Sequence, residues 1–240
     1  MYVTLNDVLD DDIKNSIQGC IHCTNVRSLC DIMLAGEISC SNAVREEQKN
    51  KKVPYFIRTR DVNKSGADGV YARFLMNGKL APKAEFGASG AKPVRIFMEK
   101  ANCFPLRIIS VSLCDYKGQT GTSGELSDLN QRTAFNAEVC FKRRVPVSAF
   151  TSIYVRRQKE CEIDYVTLPP GDELLNTIAQ MIVTVKNRRD AQLYGLAKGR
   201  KEDDIKRENT ELVLRVGHAF RGAGFSNLSG SSNEYYKFTR

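Results

Sequence analysis

The sequence predicts an α+β fold on three observations. Up to about residue 157 the apolar residues come in short runs bounded by turn formers, the pattern of strands. At Pro169-Pro170 the character changes. Beyond it, two stretches carry apolar residues at helical spacing: Asp172 to Ala197, with Leu175, Ile178, Ala179, Ile182 and Val185, and Glu202 to Arg221, with Ile205, Leu212, Leu214, Val216 and Phe220. Strands first and helices afterwards suggest an α+β chain with a compact β core. The expected division is a strand-rich domain over residues 1–168 and a helical extension over 169–240 packed on it.

The elements follow in order. Ile21 to Asn25 reads as a short strand. Val26, Leu29, Ile32 and Met33 then mark a helix that Gly36 stops. Glu37 to Cys40 is another short strand, and Ser41 or Asn42 suits the cap of a polar helix to about Lys51. Val53 to Arg60 reads as a strand with Pro54 at its start, where a missing N–H costs least. Asp61 to Gly69 is a polar loop and Val70 to Met76 a strand. Asn77-Gly78 is a turn signal leading into Lys79 to Ala81. Val94 to Met98 and Arg107 to Leu113 are further strands. Lys117 to Arg132 is a long loop of Gly, Ser and Thr, of the kind that carries function inside compact domains. Ala137 to Lys142 and Phe150 to Arg156 are strands joined across Val145-Pro146, and the tail after Gly222 is rich in Gly, Ser and Asn until Tyr235-Tyr236.

A chain of 240 residues with 42% hydrophobic content can bury a sizeable core. No apolar run is long enough to span a bilayer, and the acidic stretch Met1 to Asp12 lacks the order of a signal peptide, so the expectation is a cytoplasmic protein without membrane attachment. The eight cysteines are then expected to stay reduced. Cys20, Cys23, Cys30 and Cys40 open with a C-x-x-C step. Cys30, however, shares a helical face with Val26, Leu29 and Met33, where a buried thiol is the plainer reading, and no metal is assigned. The net charge of +8 suits a polyanionic partner, or simply a basic, well-solvated surface. No G-x-G-x-x-G follows a strand into a helix, which argues against a Rossmann site.

Three segments stand out on strands or strand edges: Ile21-His22-Cys23-Thr24-Asn25, Tyr55-Phe56-Ile57-Arg58-Thr59-Arg60-Asp61, and Phe135-Asn136-Ala137-Glu138-Val139-Cys140. The first leads into Leu29 to Ser39, the second ends in Thr59-Arg60, and the third precedes Val145-Pro146 and the strand Ser152 to Val155. This ordered set, over about residues 20 to 157, resembles the ADP-ribosyltransferase superfamily, and within it the DarT-type and phage-related branches that modify nucleic acids. The resemblance implies a split β core with flanking helices, and NAD as co-substrate. It gives Glu138 the catalytic carboxylate, with Arg60 beside it in catalysis. His22, Thr24, Tyr55, Thr59 and Arg60 would hold NAD, and Gly118 to Asn136 would recognise the acceptor, with Asn130, Gln131, Arg132 and Asn136 as contacts. It also implies an antitoxin-like or regulatory partner, because unregulated modification would harm the host. The helices after Asp172 lie outside the resemblance; they hold such a partner, extend the substrate groove or cap the sheet.

The chemistry asks for such residues. Cleaving the nicotinamide–ribose bond passes through an oxocarbenium-like state, which a carboxylate stabilises while it holds a ribose hydroxyl. An arginine grips a pyrophosphate in bidentate fashion. Each residue also has a plainer reading: Glu138 as a surface glutamate on a half-exposed strand, Tyr55 as a core tyrosine. His22 is one of only two histidines. Arg143 and Arg144, in the Lys142-Arg143-Arg144 cluster, either track a phosphate backbone, as Arg156-Arg157 would, or protect a strand edge. Asn136 stands where arginine-modifying transferases often carry Gln or Glu, which leans the acceptor towards RNA or DNA. The expected activity is therefore transfer of ADP-ribose to a nucleic acid, as a toxin or phage-conflict effector. Transfer to a protein side chain, a non-catalytic nucleic-acid-binding module on the same fold, and an RNA 2′-phosphotransferase are the alternatives.

Overall fold

The computed structural model describes residues 3–40, 42–44, 46, 68–78, 94–113, 137–157, 166–186, 201–226, 228 and 234–240. In chain order the described elements are α1 (Leu5–Val8), α2 (Asp11–Ser16), β1 (Ile17–Thr24), α3 (Val26–Ala35), β2 (Glu37–Ser39), β3 (Gly69–Met76), β4 (Val94–Glu99), α4 (Lys100–Cys103), β5 (Ile108–Leu113), β6 (Ala137–Lys142), β7 (Arg144–Pro146), a 3₁₀ turn (Val147–Ala149), β8 (Ser152–Arg156), α5 (Glu173–Lys186), α6 (Glu202–Gly222) and β9 (Tyr235–Thr239). The fold is mixed α+β, with a large antiparallel sheet and several helices. Contacts divide the chain into two compact units. One takes Met1–Cys23, Glu37–Lys92 and Ile96–Thr151; the other takes Thr24–Gly36, Pro93–Arg95 and Ser152–Arg240.

In the first unit the strands lie in the order β5–β6–β3–β1–β4, and β2 and β7 form a separate two-stranded ladder. The period of two in β3 decides its faces: Val70, Ala72, Phe74 and Met76 are buried, while Tyr71 is exposed and Arg73 and Leu75 are half-buried. β6 answers with Ala137, Val139 and Phe141 on the buried side. Asn77 and Gly78 both have positive φ (50° and 71°), the geometry of the turn expected from their sequence. Gly19 is required where β1 passes β4, since a Cβ there would collide with the carbonyl oxygen of Met98.

In the second unit α3, α5 and α6 pack together. The Asn25 side chain caps α3 by accepting from the Ser28 amide at 2.8 Å, and Gly36 ends it in the left-handed region at φ 76°. Leu29, fully buried on this helix, contributes about 1.5–3 kcal/mol by leaving water. β8 pairs with β9 along its full length. Phe220 of α6 meets Phe238 of β9 edge to face at 4.9 Å between ring centroids, closing the core under this ladder.

Several elements differ from expectation. β1 starts at Ile17 rather than Ile21, because Ile17, Gly19 and Cys20 already pair with Met76, Leu75 and Phe74 of β3. Pro146 sits within β7, paired to Glu37 of β2, rather than in a plain connection. β9, α1, α2 and α4 have no counterpart in the expected elements. Three of these are helices of only four to six residues, too short to show a period. The helix expected over Asp172 to Ala197 is described as far as Lys186, and residues 42–44 and 46 are helical. The expected strand Val53 to Arg60, the hairpin arm Lys79 to Ala81 and the loop Lys117 to Arg132 lie outside the described residues. No helix among those described is long and apolar enough to cross a membrane.

Candidate active site

Three neighbouring strands of the first unit, β1, β3 and β6, carry the chemistry-bearing side chains. The β3–β6 ladder sets Tyr71 opposite Cys140 and Arg73 opposite Glu138. Directly opposed residues of an antiparallel pair project to the same face, so these four side chains stand together on the less buried side of the sheet. Arg73 Nη2 lies 3.6 Å from Glu138 Oε2, and both side chains are about a quarter exposed, at 22% and 24%. The contact is an ion pair rather than a close hydrogen bond. On the next strand, Ser112 is registered with Glu138.

Tyr71 and Cys140 flank that pair. The Tyr71 hydroxyl donates to the Cys140 sulfur, and burial first, then the charge that Cys140 takes on when it ionises at high pH and the Glu138 carboxylate, raise the tyrosine above its ordinary range. Burial also pushes the Cys140 thiol up to about 11, against the hydrogen bond from Tyr71. The sulfur has room because Gly69 has no Cβ; one there would collide with Cys140 Sγ. Both groups are neutral at pH 7, and the Arg73–Glu138 ion pair stands beside them.

Registered pairing between β1 and β3 ends at Ile21 opposite Arg73. One residue further, His22 Nδ1 lies 2.7 Å from the Tyr71 carbonyl oxygen. A carbonyl only accepts, so Nδ1 carries a proton in this contact. Alternation from Ile21 starts the His22 side chain on the opposite side of β1 from that registered with Arg73 and Glu138. The structure thus brings His22 to the end of the ladder next to Tyr71, and Glu138 to Arg73. Thr24, also expected to hold NAD, is buried at the last position of β1.

Arg143 and Arg144 stand apart from this cluster, at the turn between β6 and β7. Arg143 has φ 58°, donates its amide to the Asp68 carbonyl and ion-pairs with Glu46. Arg144 ion-pairs with Glu37 of the paired strand β2 at 2.8 Å. Tyr55, Thr59, Arg60, Asn130, Gln131, Arg132 and Asn136 lie outside the described residues. Arg73 and Tyr71 were not singled out from the sequence, although the alternation of Val70 to Met76 already puts Tyr71, Arg73 and Leu75 on one face. What the sequence does not give is the register that sets Arg73 against Glu138.

Among the described residues no group of three or more His, Cys, Asp or Glu is arranged to hold a metal ion. Cys20, Cys23, Cys30 and Cys40 are free thiols, all but Cys23 buried. Chemically, a partly exposed carboxylate held by a guanidinium on a sheet face can stabilise developing positive charge and accept a hydrogen bond from a sugar hydroxyl. No protein-family model matches the chain, and no curated protein is significantly similar to it.

Proposed function

We propose that the protein is a mono-ADP-ribosyltransferase that cleaves NAD and transfers ADP-ribose to a nucleic acid, on an ADP-ribosyltransferase-like split β core. The observation that carries the reading is the Arg73–Glu138 pair on adjacent strands. The two residues are far apart in sequence, and the β3–β6 register sets them beside one another. Glu138 is also the residue to which the sequence resemblance assigns the catalytic carboxylate.

In this reading the carboxylate of Glu138 faces the ribose carbon from which nicotinamide departs and lowers the energy of the cation that forms. Its second oxygen accepts a ribose hydroxyl. Arg73 holds the carboxylate in position. His22, to which the resemblance gives the adenosine-side ribose or phosphates of NAD, contacts that end of the cofactor. Thr24, Tyr55, Thr59 and Arg60 complete the NAD site, and Asn130, Gln131, Arg132 and Asn136 contact the acceptor. An antitoxin-like partner restrains the activity. The basic composition supports a phosphate-bearing acceptor.

The test is incubation of the purified chain with labelled NAD and a mixed lysate, with products divided by nuclease and by protease. Label removed by nuclease supports the reading. Label removed by protease moves the acceptor to a protein side chain. Intact NAD and no label refute transferase activity for the chain by itself.

A further inference from the structure

Alternation along β8 puts Ile153 and Val155 on the core face of the β8–β9 ladder, and Arg157, the residue after the strand, continues that side. Its amide donates to the Glu234 carbonyl at 2.7 Å, which carries the ladder one step beyond the Arg156–Tyr235 pair. The guanidinium carbon lies 4.3 Å from the centroid of the Tyr236 ring, and Tyr236 is the residue registered with Val155. The Tyr236 hydroxyl donates to Gln180 of α5, which fixes the ring under the guanidinium. Arg157 is half-buried as a whole, yet its Nε is shut off from solvent and has no hydrogen-bond partner among the described residues. An arginine that reaches along an apolar face to the surface keeps its N–H groups in water. Here one N–H has left the water without gaining an acceptor, an arrangement that costs free energy until an acceptor arrives.

We infer that Arg157, held on the ring of Tyr236, is a binding site for a terminal phosphate group, that of inorganic phosphate or of a small phosphate monoester. The ring covers one face of the guanidinium and holds its plane, so the edge is what a ligand meets. That edge presents Nε–H and a neighbouring Nη–H in parallel, the pair that matches two oxygens of one oxyanion. A water molecule answers Nε with a single neutral oxygen; an oxyanion answers both donors and offsets the charge. Phosphate is favoured over carboxylate because the chain carries a net charge of +8, a field that attracts a dianion more than a monoanion. The burial of Nε selects a terminal phosphate over the diester of a nucleic-acid backbone. A diester carries substituents on two of its oxygens, whereas a terminal group turns free oxygens towards a donor that is already enclosed. The site lies within the second unit and uses none of the residues assigned to NAD, so it stands whether or not Glu138 is catalytic.

The test is a phosphorus NMR titration of the full chain with inorganic phosphate, without NAD and at an ionic strength held constant with chloride. The parent is expected to bind phosphate and methyl phosphate, and dimethyl phosphate at least about tenfold more weakly. Arg157→Met should weaken phosphate binding by roughly ten- to 150-fold, the worth of a hydrogen bond to a charged group. Arg157→Lys should fall nearly as far, because it keeps the charge and loses the pair of parallel donors. Arg156→Met removes the same charge one residue away, at an exposed position on the other side of the strand, and should bind as the parent does. In phosphate-free buffer Arg157→Met should melt no more than about 4 °C below the parent, and added phosphate should raise the parent's Tm more than the variant's. Absence of phosphate binding in the parent overturns the inference. So does parent-like affinity in Arg157→Lys or in folded Arg157→Met, an equal loss in Arg156→Met, or dimethyl phosphate binding as tightly as phosphate.

Discussion

Replacing Glu138 by Gln separates a structural carboxylate from a catalytic one, because the two roles predict effects of different size. At 3.6 Å from Arg73 the Coulomb attraction is about 1 kcal/mol at the dielectric of water and about 5 kcal/mol at an effective value near 20. Each side chain is about a quarter exposed, and desolvation and side-chain ordering oppose the attraction, so the net contribution to folding is about 1 kcal/mol. For a chain of this size that shifts Tm by roughly 2–4 °C. Removing a negative charge aimed at a developing cation costs far more, about 100- to 1000-fold in turnover. Glu138→Gln is therefore expected to melt within a few degrees of the parent, read by circular dichroism, and to lose at least about 100-fold in release of nicotinamide from labelled NAD. Arg73→Met should lose similar stability and a smaller factor in turnover, partly restored in Arg73→Lys. Turnover within threefold of the parent in folded Glu138→Gln would remove Glu138 from the mechanism. A Tm drop beyond about 10 °C, with activity lost in proportion to the unfolded fraction, would make the pair a folding element.

Three further outcomes test the framework around the site. Gly36→Ala should cost about 1 kcal/mol by urea unfolding, because φ 76° strains any residue with a Cβ although nothing stands within 4 Å; Gly36→Asn should cost less. Asp172→Ala should cost about 1 kcal/mol, because this carboxylate caps α5 through the Leu175 amide at 3.0 Å and pairs with Arg221. The same contacts, the backbone bond to Leu175 first, hold the Asp172 carboxyl below its ordinary value of 3.8. Its contribution is therefore present above that value and lost as pH falls through the lower folded one. The Cys30 thiol has the opposite sign: burial first, then the Asp31 charge, pushes it up to about 12 from 9.0. Its contribution is intact below pH 9 and lost as pH rises towards 12, since the unfolded chain deprotonates first. By pH 10.5 the parent should have lost about 2 kcal/mol more than Cys30→Ala, relative to pH 8. Equal losses would mean that the thiol ionises freely in the folded chain.

Legibility from sequence followed local periodicity. α3 was readable from Val26 to its stop, because the spacing of Val26, Leu29, Ile32 and Met33 and the glycine at 36 act within one helix, whereas Asn25, read as the end of a strand, is its cap. β3 and its Asn77-Gly78 turn were readable for the same reason. β9 was not: Tyr235 to Thr239 fully buries only Phe238, and the strand exists because β8 offers it a partner far away in the chain. The site shows the same boundary. Glu138 and His22 stand in segments with recognisable order, whereas Arg73 gains its meaning only from the register that sets it opposite Glu138.

Charge follows that boundary too, and there the consequence is functional. A net charge of +8 counts cations without saying which are engaged by carboxylates. The densest run, Lys142-Arg143-Arg144, is the one sequence alone would assign to phosphates, yet Arg143 pairs with Glu46 and Arg144 with Glu37 of the adjacent ladder. A surface pair of this kind weakens an arginine as a phosphate ligand, because a strand must first displace the carboxylate. Charge reversal at Arg143 is therefore expected to leave the salt slope of nucleic-acid binding nearly unchanged; a slope reduced by about one would return a phosphate contact to the β6–β7 turn.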